Sequence, residues 1–208
     1  MDKPRTYWDT FTSLYQMGSQ KHRVYLLNLL DQKGVESILD VGCGTGPIYQ
    51  LITLPSTRKR TFKYKGVDYS PAMIEVAKKE FPLGNFEVQD ARSLTEAALS
   101  WDCVLLMHCL DHLDDYQSAI KEAARVAKKY VCIVLWRSFV DEGTRLNDRN
   151  MYGKKEGEEP WEDTHLQEYS RQVLEEEFNK NGLTVGHTAE GETLNEPERY
   201  NFLYLLSK

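Results

Sequence analysis

The hydrophobic and polar positions of this chain follow two alternating patterns from residue 37 onward. Short apolar runs that end at glycine, proline or acidic residues predict strands, and apolar residues spaced three or four apart predict helices. The predicted strands are residues 37–41, 64–68, 86–89, 101–107, 130–136, 183–188 and 200–206. Helices are predicted between them, with starts at Pro47, Ser70, Ser93, Asp114 and Thr164. This order of elements is typical of an α/β fold with a parallel sheet and helices on both faces.

Two regions interrupt the alternation. Residues 1–34 contain an aromatic-rich segment at 7–16 and a helical pattern at 20–32, which together predict a helical cap in front of the sheet. Residues 137–163 are polar and lack periodicity. A long insertion of this kind is either a functional lid or a disordered segment. We expect the 208 residues to form a single domain.

Composition limits the classes of partner. The net charge of −6 gives no general attraction for nucleic acid or anionic lipid. The longest apolar run, residues 131–136, is too short to span a bilayer. Four cysteines without a C-x-x-C pair favour reduced thiols, and the N-terminus lacks the pattern of a secretory signal. We therefore expect a cytoplasmic monomer or homodimer that is not bound to a membrane.

A glycine-rich turn follows the first predicted strand. Gly42, Gly44 and Gly46 occupy alternate positions, and Pro47 comes next. Glycine lets a ligand approach the main chain, and proline suits the first position of a helix. A strand, a glycine turn and a helix start in this order are typical of a nucleotide-type site, where backbone N–H groups face the ligand. The spacing differs from the G-x-G-x-x-G of dinucleotide-binding proteins.

Two acids make this signal more specific. Asp40 lies two residues before Gly42, and Asp68 follows Gly46 by 22 positions, at the end of the second predicted strand. With these acids, residues 38–46 resemble the first motif of the class I S-adenosylmethionine-dependent methyltransferases, D-x-G-x-G-x-G. The resemblance implies a Rossmann-like, doubly wound sheet of seven mostly parallel strands, with one antiparallel strand near the C-terminal edge. It also implies S-adenosyl-L-methionine as the cofactor.

The acids have predicted roles in cofactor binding. Asp68 can accept hydrogen bonds from both ribose hydroxyls, although a helix cap or a surface acid is the alternative. The resemblance implies that Asp40 orders the turn and the methionine moiety through water. It implies that Asp90 accepts from the adenine amino group, with the backbone N–H of Ala91 completing that edge. The other predicted cofactor-binding residues lie in the glycine turn or near strand ends: Gly42, Cys43, Gly44, Gly46, Tyr69, Met73 and His108.

The catalytic candidates are His108 and Tyr15. His108 and His112 flank the end of the fourth predicted strand, which in the family faces the methyl group. An imidazole there can remove a proton from the acceptor, and a polar lining role is the alternative for His108. His112 matches a position that is often histidine in the family, and we expect it to be structural. Tyr15 belongs to an N-terminal segment that contributes tyrosines near the methyl group in small-molecule methyltransferases, or it packs on the core. No metal site is predicted.

These features predict methyl transfer from S-adenosylmethionine to a nitrogen or oxygen of a small molecule. One alternative is an RNA or protein acceptor, but only the basic residues between 58 and 65 favour nucleic acid. A second alternative is a cofactor-binding partner subunit without catalysis, since a cofactor motif does not prove turnover. Residues in or beside the insertion are predicted to line the substrate side: Phe139, Tyr152, Trp161 and His165.

Overall fold

The computed structural model describes residues 21–54, 61–135, 139–147, 166–190 and 202–208. The strands are β1 (Ser37–Val41), β2 (Lys63–Asp68), β3 (Phe86–Val88), β4 (Trp101–Met107), β5 (Ala127–Leu135), β6 (Thr144–Asn147), β7 (Leu166–Tyr169), β8 (Thr184–Glu190) and β9 (Phe202–Ser207). The helices are α1 (Lys21–Gln32), α2 (Pro47–Thr53), α3 (Pro71–Glu80), α4 (Tyr116–Val126) and α5 (Arg171–Lys180), with a 3₁₀ turn at Leu110–His112. The predicted segment 7–16 lies outside the described residues, so the N-terminal cap is described only as α1.

Seven strands form the main sheet, in the order β3-β2-β1-β4-β5-β9-β8. The pairs from β3 to β5 are parallel, and β9 pairs antiparallel with both β5 and β8. The predicted doubly wound sheet with one antiparallel strand near its C-terminal edge is therefore confirmed. The chain reverses its direction of winding between β1 and β4, and in such sheets ligands bind at the carboxyl ends of the strands beside this point.

The central strands are buried on both faces, because successive side chains point to opposite sides of the sheet. In β4, Cys103 and Leu105 pack on the side of α1, α2 and α3, while Val104 and Leu106 pack on the side of α4 and α5. All four side chains are fully buried. Among the described residues, the helices therefore cover both faces of β4.

The predicted helix at Ser93 is wrong. After β3 the chain forms turns and irregular structure up to β4, with an isolated bridge between Asp90 and Ser93. The N–H of Leu94 donates to the carboxylate of Glu122 in α4 (2.9 Å), which lies 28 residues away. The N–H of Ser93 donates to the carbonyl of Asp90 (3.0 Å) and not to the side chain of Glu96, so the reciprocal hydrogen bonds of a capping box do not form.

The helix starts predicted at Asp114 and Thr164 are also wrong. Asp115 caps α4, since its carboxylate accepts from the N–H of Ser118 (3.1 Å). Residues 166–169 form β7 instead of a first helical turn, and Ser170 caps α5 by accepting from the N–H of Val173 (3.2 Å). In the second case pairing with β6 overrides the local helix signal, because backbone hydrogen bonds to a distant strand are not visible as local periodicity.

The insertion is described in part. It begins with β6, which pairs antiparallel with β7 to form a separate two-stranded sheet. The hydroxyl of Tyr169 donates to the carbonyl of Leu110 (2.7 Å), and its ring packs against Tyr116 (4.8 Å between centroids). This small sheet is thereby joined to the turn after β4. Most of residues 137–163, with Tyr152, Trp161 and His165, lie outside the described residues, and the lid stays a prediction.

The cap of α5 can be tested directly. We expect Ser170→Ala to lower the free energy of unfolding by about 1 kcal/mol, because the N–H of Val173 loses its acceptor. Ser93→Ala is the matched control, since Ser93 is exposed and starts no helix, and its effect should stay below about 0.5 kcal/mol. Urea unfolding followed by circular dichroism measures both. Equal losses would contradict the assignment of the cap.

Candidate functional site

A cavity opens at the carboxyl ends of β1, β2 and β4, beside the change in winding direction. The empty space in it is about 760 Å³, including its open mouth. The lining residues come from strand ends and the turns that follow them: Val41, Gly42, Gly44, Asp68, Tyr69, Met73, Gln89, Asp90, Ala91, Arg92, Met107, His108, Cys109, His112 and Leu113. The structure thus brings eight of the predicted site residues to one cavity: Gly42, Gly44, Asp68, Tyr69, Met73, Asp90, Ala91 and His108.

The glycine turn forms one wall. All three glycines have positive φ angles, of 77° at Gly42, 55° at Gly44 and 87° at Gly46. A Cβ atom at Gly42 would lie 3.0 Å from the Cβ of Cys109, which is closer than ordinary packing allows. The N–H group of Gly42 donates to the carbonyl of Val67 in β2 (2.8 Å). The turn therefore needs glycine both for its backbone conformation and for its close approach to the chain after β4.

Asp68 links the turn to β2. Its Oδ2 accepts from the N–H of Gly44 (2.9 Å), and its Oδ1 accepts from the N–H of Ser70 (2.9 Å). Burial raises the pKa of Asp68, while the backbone hydrogen bonds from Ser70, Gly44 and Tyr69 act in the opposite direction. A carboxylate has about four acceptor positions, so three backbone donors leave about one for a ligand. Asp68 can therefore hold the turn and still accept a hydroxyl group.

Asp90 carries a second carboxylate on the cavity wall. Arg92 engages it in a fork, with Nε 2.9 Å from Oδ1 and Nη2 2.7 Å from Oδ2. The backbone N–H of Arg92 also donates to Oδ1 (2.9 Å). Oδ1 is then satisfied, and one acceptor position remains on Oδ2. Ala91 lies between these residues and lines the cavity.

His108 follows β4 in an unusual conformation. It is buried, its N–H donates to the carbonyl of Val134 in β5 (2.8 Å), and its φ angle is +53°. A left-handed conformation costs a residue other than glycine about 1–2 kcal/mol. Residues in such strained conformations concentrate at functional sites. The ring of His22 in α1 meets the ring of His108 edge to face, 5.5 Å between centroids. His112, from the 3₁₀ turn, also lines the cavity.

Three predicted cofactor residues do not line the cavity. Asp40 lies behind the turn, where its Oδ2 accepts from the hydroxyl of Tyr64 (2.6 Å). Burial raises the pKa of Asp40 to about 7, although the hydrogen bond from Tyr64 and the nearby Arg23 act in the opposite direction. Cys43 is buried, and a Cβ at Gly46 would meet Phe86 at 3.1 Å. These residues support the shape of the turn, and their direct roles toward a cofactor stay predictions. Tyr15 lies outside the described residues.

Sequence reasoning missed several lining residues. Their side chains lie beside predicted site residues in the chain: Val41, Gln89, Arg92, Met107, Cys109 and Leu113. The position after a strand end was the available signal for Met107, Cys109 and Leu113. Burial raises the pKa of the Cys109 thiol, which keeps it protonated and unsuited to attack as a thiolate. No local pattern indicated the fork between Arg92 and Asp90.

The donor and acceptor groups of the cavity fit an adenosyl group. Ribose hydroxyls and the adenine amino group are hydrogen-bond donors, and Asp68 and Asp90 keep acceptor positions on this cavity. Met73 and Ala91 add apolar surface to the same wall, which suits the faces of a purine base. Gly42 and Gly44 add main chain without side chains to the same lining.

Comparison with known proteins identifies the family. The methyltransferase domain family matches residues 15–188, so the chain belongs to this family. Its fold resembles that of magnesium protoporphyrin IX methyltransferase from Synechocystis with bound S-adenosylmethionine, at a TM-score of 0.63 and 16% identity over 91% of this chain and 79% of that one. The predicted class I S-adenosylmethionine-dependent methyltransferase, with S-adenosylmethionine as the cofactor of the class, is confirmed.

Two curated relatives cover part of the chain. Ajmaline N-methyltransferase from Rauvolfia serpentina is 29% identical over 132 residues, which is 55% of this chain and 44% of the relative. Ubiquinone biosynthesis O-methyltransferase from Coxiella burnetii is 32% identical over 108 residues, or 50% of this chain and 44% of the relative. The match thus spans less than half the length of these relatives.

Among the described residues, no helix combines the length and the apolar character that crossing a membrane requires. In the same part of the chain, no group of three or more His, Cys, Asp or Glu side chains is arranged to hold a metal ion.

The close approach at Gly42 predicts a specific loss of stability. Gly42→Ala should lower the free energy of unfolding by about 2–5 kcal/mol, because a β-carbon is strained at this φ angle and contacts Cys109. Gly182→Ala is the matched control, since Gly182 has a φ angle of 71° with nothing within 4 Å of an added Cβ, and it should cost about 1–2 kcal/mol. Chemical denaturation measures the two losses. A Gly42 variant no less stable than the Gly182 variant would refute the steric account.

The raised pKa of Asp40 predicts a pH dependence of stability. With a pKa of about 7 in the folded protein, against 3.8 as its ordinary value, Asp40 binds a proton more tightly when the chain is folded. Its contribution to stability is complete below the ordinary pKa and is lost as the pH rises through about 7. Relative to Asp40→Asn, the wild type should therefore lose up to about 4 kcal/mol between pH 4 and pH 8.

Asp102 is the control, because its contribution to stability should depend on pH with the opposite sign. Burial raises its pKa, but the N–H of Glu36 and the ammonium of Lys129 outweigh this and hold the pKa below its ordinary value. Its contribution is present above the ordinary pKa and is lost as the pH falls through the folded-state pKa. Urea unfolding of wild type, Asp40→Asn and Asp102→Asn across the pH range measures both trends. A constant difference between wild type and Asp40→Asn would rule out the raised pKa.

Proposed function

We propose that this protein transfers a methyl group from S-adenosylmethionine to a nitrogen or oxygen of a small molecule. The observation that carries the proposal is that Asp68 and His108 line one cavity on either side of the glycine turn. A carboxylate suited to ribose and an imidazole suited to deprotonation therefore lie around the same space. The N-methyltransferase and O-methyltransferase among the relatives support small-molecule acceptors.

The residues of this chain would bind the cofactor, orient the acceptor and remove a proton from it. Asp68 and Asp90 offer acceptor positions for the ribose hydroxyls and the adenine amino group. When bound, S-adenosylmethionine supplies a methyl group on a sulfonium that is already activated. The protein then contributes alignment and the exclusion of water, which together can supply much of the rate.

His108 is the proposed general base. It is buried at the end of β4, and an imidazole there can accept a proton from a hydroxyl or a protonated amine of the acceptor. Met107, His112 and Leu113, which are near His108 in the chain, also line the cavity. We assign the acceptor to this part of the lining. The hydroxyl of Tyr169 donates to the carbonyl of Leu110 and thereby links the turn to the small sheet of β6 and β7.

Calorimetry and a turnover assay test the proposal together. The wild type should bind S-adenosylhomocysteine with a dissociation constant of about 1–100 μM. Asp68→Ala should weaken this at least about tenfold, because hydrogen bonds to a charged acceptor contribute about 1.5–3 kcal/mol. His108→Asn, which tolerates the left-handed backbone, should keep the affinity within about fivefold but lower turnover about 10²- to 10⁴-fold.

The assay measures release of S-adenosylhomocysteine with a panel of phenols, catechols and amines. Asp102→Asn serves as the control, since Asp102 lies at the start of β4, at the opposite end of the sheet. Absence of cofactor binding by the folded wild type would refute the proposal. Binding without turnover on any acceptor would favour the cofactor-binding partner subunit, and turnover on RNA or protein alone would favour a macromolecular acceptor.

A further inference from the structure

We propose that Arg125 of α4 is a positioning residue for the base wall, which we define as residues 89–92. The base wall lines the cavity after β3, whereas Arg125 does not line it. The observation behind the proposal is a continuous set of side-chain hydrogen bonds from Arg125 to Gln89. Through them Arg125 sets the affinity and selectivity of the cavity for the adenine base. This inference rests on the proposed binding of S-adenosylmethionine.

The first step joins α4 to the irregular segment before β4. The guanidinium of Arg125 donates to the carbonyls of Glu96 (2.7 Å) and Leu94 (3.0 Å). The same group pairs with Glu122 (2.8 Å), whose carboxylate also accepts from the N–H of Leu94 (2.9 Å). The planar, rigid guanidinium can hold these acceptors together, whereas a lysine ammonium lacks the fork. The segment has no helix of its own, so these contacts take the place of local backbone pairing.

The second step joins this segment to Gln89. The N–H of Thr95 donates to Oε1 of Gln89 (3.1 Å), and Nε2 of Gln89 donates to Glu96 (3.2 Å) and Glu87 (3.1 Å). Lys65 completes the group with contacts of 2.8 Å to Glu96 and 2.7 Å to Glu87. Both donors of the amide are used, and an acceptor position is used as well. Rotation of Gln89 would break all three hydrogen bonds, so its orientation depends on the segment that Arg125 holds.

The third step runs from Gln89 to the acceptor on Asp90. The backbone N–H of Gln89 donates to the carbonyl of Asp68 (2.9 Å), which fixes the base wall beside the ribose acid. Arg92 occupies both hydrogen-bond acceptor positions of Oδ1 on Asp90 and one of the two on Oδ2. The position left on Oδ2 suits one donor, such as the exocyclic amino group of adenine. Gln89 is hydrogen-bonded to residues 94–96 and directly precedes Asp90 in the chain. A displacement of residues 94–96 would therefore shift the carboxylate of Asp90.

Two probes measure the effect without an acceptor substrate. S-Adenosylhomocysteine carries the amino group, and S-inosylhomocysteine carries a carbonyl in its place. Arg125→Met should weaken binding of S-adenosylhomocysteine about tenfold and binding of S-inosylhomocysteine about twofold at most, so the selectivity for the amino group falls at least about fivefold. Arg125→Lys should lie between wild type and Arg125→Met. Lys129→Met is the control: it removes a cation that contacts Asp102 and the carbonyl of Gly34, and it should change neither affinity.

A double-mutant cycle separates positioning from general loss of structure. In the Asp90→Asn background, Arg125→Met should have little further effect on selectivity, because Arg125 acts through Asp90. Should Arg125→Met fail to fold, Gln89→Met tests the next step in the same cycle. A selectivity that is unchanged in folded variants, or that falls equally in both backgrounds, would overturn the inference and leave the proposed function intact. Failure of the wild type to bind S-adenosylhomocysteine would refute the proposed function instead.

Discussion

The hydrogen bond from the N–H of Gly44 to the carboxylate of Asp68 (2.9 Å) is the interaction on which the site depends. It joins the turns after β1 and β2, which are parallel neighbours with Val41 opposite Val67. Parallel pairing brings the carboxyl ends of the strands together, so residues more than 20 positions apart in the sequence become neighbours. The carbonyl of Val67 adds two further contacts, to the N–H groups of Gly42 and Cys43. The turn is thereby held in one conformation before a ligand arrives.

Acidic groups concentrate around this turn. Asp68 and Asp90 face the cavity, and Asp40 lies buried behind it with Arg23 as a nearby positive charge. Arg92 balances the charge of Asp90 in this lining, so Asp68 leaves one net negative charge there. Burial raises the pKa of Asp40 to about 7, so a carboxyl behind the turn changes its charge near neutral pH. The stability of the fold therefore depends on the protonation of an acid next to the cavity.

The two sides of the cavity are held by different parts of the fold. On the side of Asp68 and Asp90, hydrogen bonds from α4 and β2 fix the main chain. On the side of His108, the 3₁₀ turn is held by Tyr169, which belongs to the separate sheet of β6 and β7. The two parts of the cavity lining are therefore held by separate sets of contacts, one within the main sheet and its helices and the other from the small sheet.

The sequence alone determined the class of fold and the core of the site. Alternating strands and helices, the glycine turn and the acids Asp68 and Asp90 are signals over a few neighbouring residues, where local backbone preferences and side-chain patterns suffice. The tertiary structure decided the rest. The segment after Ser93 is held by Glu122 of α4 and forms no helix, and Ser170 caps α5 because β7 pairs with a distant strand. The conformation of His108, whose N–H donates to Val134, and the contacts of Arg125 with residues 94–96 both depend on residues distant in the chain, which no local sequence pattern indicates.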